Sequence, residues 1–397
     1  MSGKNAAPRR RGRAGWAVVV LAIALGAIFG VPPLVRAIKA PPISEGFGIE
    51  DAVVALRLDA RGASYLVLVN EAGQTRSVRV EERGFEHARI AWSEAGLSTG
   101  GPQHEYVLGE NGLTEIALAG DPEGRTEAHR FATDDGFMVM MGSPRRPEAA
   151  FVDAASGTLS LIDTNYSTPT LAGCGGEVLM VREDHVETIT EATRDFDGLD
   201  MFDGIEALVC DADRAYGLSR ISDTATSRQA LRVWDRATGD VGAFEVRYPE
   251  TVHGWRAGAP FVREGRLYWA ADRRLWSVRP PVSGGREPRA EGALPVLEAV
   301  PVAELGDCVG DATPVVGTDE GILAPASGRV YGVAVDEEWV KRSKGRSYDR
   351  LDGLTIFSVD ATTGERRVEI EVGDIDFPQR DIRVSAIGVD PGWAAGR

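Results

Sequence analysis

One five-residue reversal recurs along this chain and restricts its fold more than any other feature. Asp153-Ala-Ala-Ser-Gly157, Asp235-Arg-Ala-Thr-Gly239 and Asp360-Ala-Thr-Thr-Gly364 each join one apolar run to the next. The Asp carboxylate accepts backbone amides inside the turn, Ser or Thr supports it, and Gly takes the positive φ that reverses the chain. Each is therefore a hairpin. The starts are 82 and 125 residues apart, close to two and three units of about 41, and weaker relatives stand at Asn70-Glu-Ala-Gly73 and Asn111-Gly112. Hairpin patterns at 180–190 (MVREDHVETIT) and 275–285 (LWSVRPPVSGG) bring the candidate turns to seven. The flanking runs VVALRL (53–58), YLVLV (65–69), SVRV (77–80), EIALA (115–119) and TLSLI (158–162) are short, β-branched and alternating, with almost no helical periodicity.

A repeat of about 40–50 residues built from hairpins is the spacing of four-stranded propeller blades. Dividing the roughly 355 residues beyond the apolar segment by seven blades gives about 51 each, and by eight about 44. The expectation is an all-β, seven-bladed β-propeller, with six or eight blades as alternatives. Closing the ring leaves only short, protected sheet edges, which an open sheet of so many strands lacks. Two packed sandwiches are the rival architecture.

At these hairpins the chain resembles the quinoprotein-like (PQQ-like) propeller repeats, in which a strand ends in Asp, followed by x-x-Thr-Gly and a second strand. FSVDATTGERRVEI (357–370) carries the resemblance most closely, and LRVWDRATGDVGAFEV (231–246) also resembles a WD-type repeat through Trp234-Asp235. The chain departs from the family where Trp usually follows the Gly, having Leu159, Phe244 and Val368 instead. The resemblance implies the propeller fold but no single chemistry, because the family includes quinone-cofactor dehydrogenases, assembly scaffolds and sensor ectodomains. Cofactor-dependent members of the dehydrogenase branch commonly show a vicinal cysteine pair, and this chain has none.

Ahead of the repeats, Ala14 to Val35 holds 22 residues without a charge, 18 of them before Pro32. Eighteen helical residues span roughly 27 Å, about one hydrocarbon thickness. A cleavable signal peptide shares the basic flank, but its apolar stretch is usually about 7–15 residues. Ile38-Lys39-Ala40 before Pro41 also lacks the small-x-small pattern. The basic residues Arg9 to Arg13 keep the N-terminus cytoplasmic. The expected organisation is a basic tail (1–13), a transmembrane helix acting as signal anchor (14–35), a linker (36–48) and an extracytoplasmic propeller (49–397) at the cytoplasmic membrane. The arginine excess over lysine points to a GC-rich bacterial genome.

Residues 1–40 hold seven basic side chains and no acidic one, so a total of −16 leaves −23 on the remainder. Such a charge repels phosphate backbones, and no nucleic-acid partner is expected. Lys341, Arg342, Lys344, Arg346 and Arg350 form the only basic cluster outside the membrane region. They make a candidate docking loop for an anionic polymer or an acidic envelope protein. Asp195, Asp197, Asp200 and Asp203 lie within nine positions on a glycine-containing stretch and are calcium candidates, although their spacing is not that of an EF-hand. No other cofactor is expected. Cys174, Cys210 and Cys308 allow one disulfide. A Cys174–Cys210 bridge between neighbouring repeats is the simplest pairing, and either can pair with Cys308. Leu171-Ala-Gly-Cys174 spells a lipoprotein box by chance, since no apolar run precedes it.

Gly96-Leu-Ser98-Thr-Gly100 matches the G-x-S-x-G nucleophile elbow, but no helix pattern follows, and a flexible inter-strand loop is expected. The histidines His87, His104, His129, His185 and His253 are scattered and read as surface or loop residues, while Trp92, Trp255, Trp269, Trp276 and Trp339 read as packing between sheets. No residue set is arranged for catalysis. The expected function is a binding or protein-interaction scaffold at the cell envelope. The alternative is a propeller enzyme, glycosidase-like or a cofactor-dependent oxidoreductase, with its site at the central channel.

Overall fold

The computed structural model describes residues 48–397 except 61–62, 82–88, 111, 119–124, 143–147, 163–169, 175–176, 182–185, 189–204, 221–228, 251, 253–257, 282–293, 306–322, 336–352 and 374–382. The chain divides into two units, Met1–Ile43 and Ser44–Arg397, and every described residue belongs to the second. Among the described residues no helix is long and apolar enough to cross a membrane, and the 14–35 segment lies outside them.

The described strands fall into seven sheets. The first holds β1 (Ala52–Ala60), β2 (Ala63–Asn70) and β3 (Thr75–Glu81), and the second β4 (Ile90–Ser93), β5 (Gly96–Gly100), β6 (His104–Gly109) and β7 (Gly112–Ala117). The third holds β8 (Thr126–Ala132), β9 (Gly136–Gly142), β10 (Glu148–Asp153) and β11 (Thr158–Ile162), and the fourth β12 (Thr170–Cys174), β13 (Glu177–Val181) and β14 (Val186–Thr188). The fifth is β15 (Ile205–Cys210), β16 (Arg214–Arg220), β17 (Gln229–Asp235) and β18 (Val241–Arg247). The sixth is β19 (Gly258–Arg263), β20 (Arg266–Ala271) and β21 (Arg274–Val278). Next in the chain comes β22 (Val296–Glu298), which crosses to pair parallel with β18, and then β23 (Val300–Glu304), which returns antiparallel to β21. The seventh is β24 (Leu323–Ala326), β25 (Arg329–Val335), β26 (Leu354–Asp360) and β27 (Arg366–Val372).

The last strand, β28 (Arg383–Val389), does not extend the seventh sheet but pairs antiparallel with β1, so each end of the described chain supplies part of the first sheet. The inner strands β28, β4, β8, β12, β15, β19 and β24 neighbour one another in that order and return to β28. The apolar cores follow the same plan, lying between consecutive sheets instead of at one centre. Leu56, Val67 and Ile356 join the first and seventh sheets, Leu66 and Leu97 the first and second, and Leu231 and Trp269 the fifth and sixth. A closed ring of meander sheets with cores between them is a β-propeller.

This placement explains the sequence pattern. Second and third strands are covered on both faces, and β2 is buried from Ala63 to Val69. Outer strands meet solvent and alternate, as in β27. The Asp turns mark one corner, the hairpin from third to fourth strand: β10–β11, β17–β18 and β26–β27, with Asn70 at β2–β3. The amides of Thr362 and Thr363 both donate to Asp360 Oδ1 at 2.8 Å, and Gly364, at φ +73°, donates its amide to the Asp360 carbonyl at 2.9 Å.

Three expectations are corrected. The 275–285 stretch is not a hairpin, because Pro280 and Pro281 offer no amides to a ladder and the chain leaves β21 for the neighbouring sheet before β23 returns. Gly96–Gly100 is not a flexible loop but the buried strand β5. His104 and His129 stand in strands β6 and β8; the other histidines lie outside the described residues. Trp269 and Trp276 are buried as expected and Trp92 is half-buried, whereas Trp255 and Trp339 lie outside the description.

Candidate functional site

Because strands within a sheet alternate in direction, connections from first to second and from third to fourth strand emerge on one face, and those from second to third on the other. The turn-bearing face of the first three sheets encloses a trough of about 840 Å³. The β4–β5 turn contributes Ser93 to Gly96, the β6–β7 turn Glu110, the β8–β9 turn Asp134 and Asp135, and the β10–β11 turn Asp153 to Gly157. Ile49 and Glu50 enter ahead of β1, and Asp390 follows β28.

The local chemistry of these turns shapes the walls. The Ser93 hydroxyl accepts the Ala95 amide at 3.2 Å. Gly96 follows at φ +126°, where an added Cβ lies 2.6 Å from the Leu108 carbonyl oxygen, so only glycine fits. Asp153 accepts the Ser156 amide at 2.6 Å and its hydroxyl at 2.8 Å. Those bonds, the amide foremost, hold the Asp153 carboxyl below its ordinary value. It is a settled anion, poorly suited to donating a proton.

Among the described residues, seven carboxylates line the trough and no Lys, Arg or His does. Three have structural work: Glu50 pairs with Arg76 at 2.5 Å, Asp153 holds its turn, and Asp390 caps the terminal helix α1 (Pro391–Ala395) through the Gly392 amide at 2.9 Å. Glu94, Glu110, Asp134 and Asp135 are exposed. Trp92, Val107 and Phe151 add apolar surface. Among the described residues no three metal-ligating side chains converge on one point, so the carboxylates form a spread field, not a coordination shell. A spread field of charge over aromatic surface suits an extended cationic ligand through ion pairs and cation–π contact.

Cys174 and Cys210 form a disulfide, with Cα atoms 5.4 Å apart, at the ends of the inner strands β12 and β15. It joins neighbouring sheets. The calcium candidates Asp195, Asp197, Asp200 and Asp203, the basic cluster Lys341, Arg342, Lys344, Arg346 and Arg350, and Cys308 all lie outside the described residues. Sequence reasoning missed the trough residues because they come from turns of three sheets, the outermost pair being Ile49 and Asp390. The acidic pair Asp134-Asp135 just before the apolar run of β9 was the available signal.

No family model matches the sequence, and no curated protein matches it. The structure is similar to solved structures of low identity. They include the dihydro-heme d1 dehydrogenase NirN (13% identical, TM-score 0.47, covering 89% of this chain and 78% of that one). The β-propeller domain of the trilobed protease from Pyrococcus furiosus is 11% identical with TM-score 0.41, covering 86% and 99%. The tricorn protease is 10% identical with TM-score 0.39, and this chain, 79% covered, spans 34% of its length.

Proposed function

We propose that this chain is a binding scaffold: a single-pass protein, N-terminus inside, that holds a seven-bladed propeller outside the cytoplasmic membrane and takes a cationic partner in its acidic trough. One observation carries the binding role: among the described residues, seven carboxylates and no basic residue line the trough. The seven sheets support the blade number. The uncharged 14–35 segment supports the anchor, and a disulfide between strands supports an oxidising compartment. The partner's chemistry is that of a Lys- or Arg-rich segment of an envelope protein. The basic cluster at 341–350, which lies outside the described residues, is a second candidate, for an anionic polymer, on its charge alone.

The test is calorimetric titration of the ectodomain with oligolysine. Binding is expected to weaken as salt rises, and the quadruple variant E94Q/E110Q/D134N/D135N is expected to lose at least about tenfold in affinity, the effect of removing roughly 1.4 kcal/mol. Equal affinity in the variant overturns the reading.

A further inference from the structure

The strands that carry the trough on one face carry a buried charge cluster toward the other. Arg130 on β8 donates to both oxygens of Glu127 at 2.9 Å, to Glu105 Oε1 on β6 at 3.0 Å and to the Ser98 hydroxyl on β5 at 2.5 Å. Its Nη1 lies 2.8 Å from Glu105 Oε2. Arg57 on β1 donates to Thr99 on β5 at 3.3 Å and stands 3.6 Å from Asp59. Arg57, Glu105 and Glu127 are at most 2% exposed. The cluster therefore fastens the first three sheets together, the same three that enclose the trough.

Burial raises the Glu105 carboxyl to about 7 against the opposing pull of Arg130, with Glu127 adding to the rise and Arg57 opposing it. Arg130 stays charged, because the two carboxylates outweigh the cost of its burial. His129, on β8 as well, is held neutral, pushed down to about 3 by burial and by the charge of Arg89. His104 precedes Glu105 and lies 3.3 Å from Glu115 on β7. Three strands link cluster and trough directly: β5 runs from Gly96 to Gly100, β6 runs from beside Glu105 to Gly109, and β8 ends at Ala132, two residues before Asp134.

We propose that the Glu105–Arg130 cluster is a proton-operated lock: a proton taken from solvent onto Glu105 removes its charge from Arg130, leaves the cluster one charge more positive, and weakens the trough's hold on a cationic partner. The coupling to binding rests on the trough reading above; the proton uptake does not.

The folded-state value lies above the ordinary carboxylate value, so the folded state holds this proton more tightly than the unfolded chain. That stability is present below about pH 4.5 and is lost as pH rises toward 7. The ectodomain's melting midpoint is therefore expected to carry a falling component between pH 5 and 8 that E105Q removes and H104Q keeps. Wild-type protein is expected to show a carboxylic-acid infrared band at pH 6 that is gone at pH 8, a readout that needs no variant. Oligolysine is expected to bind a few fold more weakly at pH 5.5 than at pH 8, the scale of one charge at about 15 Å in a medium of intermediate dielectric, and E105Q is expected to abolish that difference. A missing infrared band, or a melting slope unchanged in E105Q, overturns the lock. Binding that the quadruple trough variant loses but pH leaves unchanged overturns the coupling alone. No binding at either pH overturns the trough reading, and the coupling with it.

Discussion

The aspartates of the recurring turns act as folded-in anions. The amide of Ser156 lowers Asp153 and the amide of Thr238 lowers Asp235, while at Asp360 partial burial pushes upward and the amides of Thr363 and Thr362 outweigh it. A carboxyl lowered by folding stabilises above its ordinary value near pH 4, and that contribution disappears as acid protonates it. Asp360→Ala is expected to cost about 1–2 kcal/mol at pH 7 by stranding two amides. Asp360→Asn, which keeps an acceptor oxygen, is expected to cost less and to flatten the fall of the melting midpoint between pH 5 and 3. Gly364→Ala is the steric companion: at φ +73° its Cβ comes 2.5 Å from the Val302 carbonyl oxygen, and the expected loss is about 2 kcal/mol in urea unfolding.

At the level of elements, hairpins and strands were legible where their chemistry is local. Asp153, Asp235 and Asp360 announce the third-to-fourth hairpin because acceptor, amides and glycine all lie within five positions. What failed was long-range. The sequence beyond Trp276 does not say that β22 will cross to β18, since partner choice depends on which edge is near. Gly96–Gly100 read as a loop because glycine and hydroxyls favour loops, yet Ser98 is buried against Arg130, 32 positions away. The Cys174–Cys210 bridge stood between these cases, as one of the pairings that three cysteines allow. It closes a separation of 36 residues, and Cys174→Ser is expected to cost about 4 kcal/mol by loop-closure entropy. Comparing oxidised and reduced melting midpoints checks it. A midpoint insensitive to reductant in the wild type argues against the bridge.

The propeller as a whole depends on where the ring is sewn shut. β28 lies along β1 from Val54 opposite Val389 to Asp59 opposite Arg383, and Val384, Ile387 and Val389 enter the core shared with the seventh sheet. The short helix α1 adds a second fastening. Trp393 is 9% exposed and tilts against Tyr331 at 5.7 Å; its indole nitrogen donates to Glu71 at 2.6 Å, and Arg397 reaches the same carboxylate at 2.8 Å. Glu71 belongs to the turn after β2, so the last residues of the chain hold one of its first hairpins. Trp393→Ala is expected to cost about 3–5 kcal/mol, the range for emptying a large aromatic site. Ending the chain at Gly373 asks more of the fold. It strips β1 of its inner partner, exposes a long apolar edge, and removes the strand that stands between β24 and β4 in the ring. If closure is what holds the sheets together, the truncated protein loses its cooperative melt and self-associates through β1, and a peptide of residues 383–397 added in excess restores a single transition. A truncated protein that stays monomeric and melts cooperatively would instead mean that the cores between neighbouring sheets are sufficient without the seam.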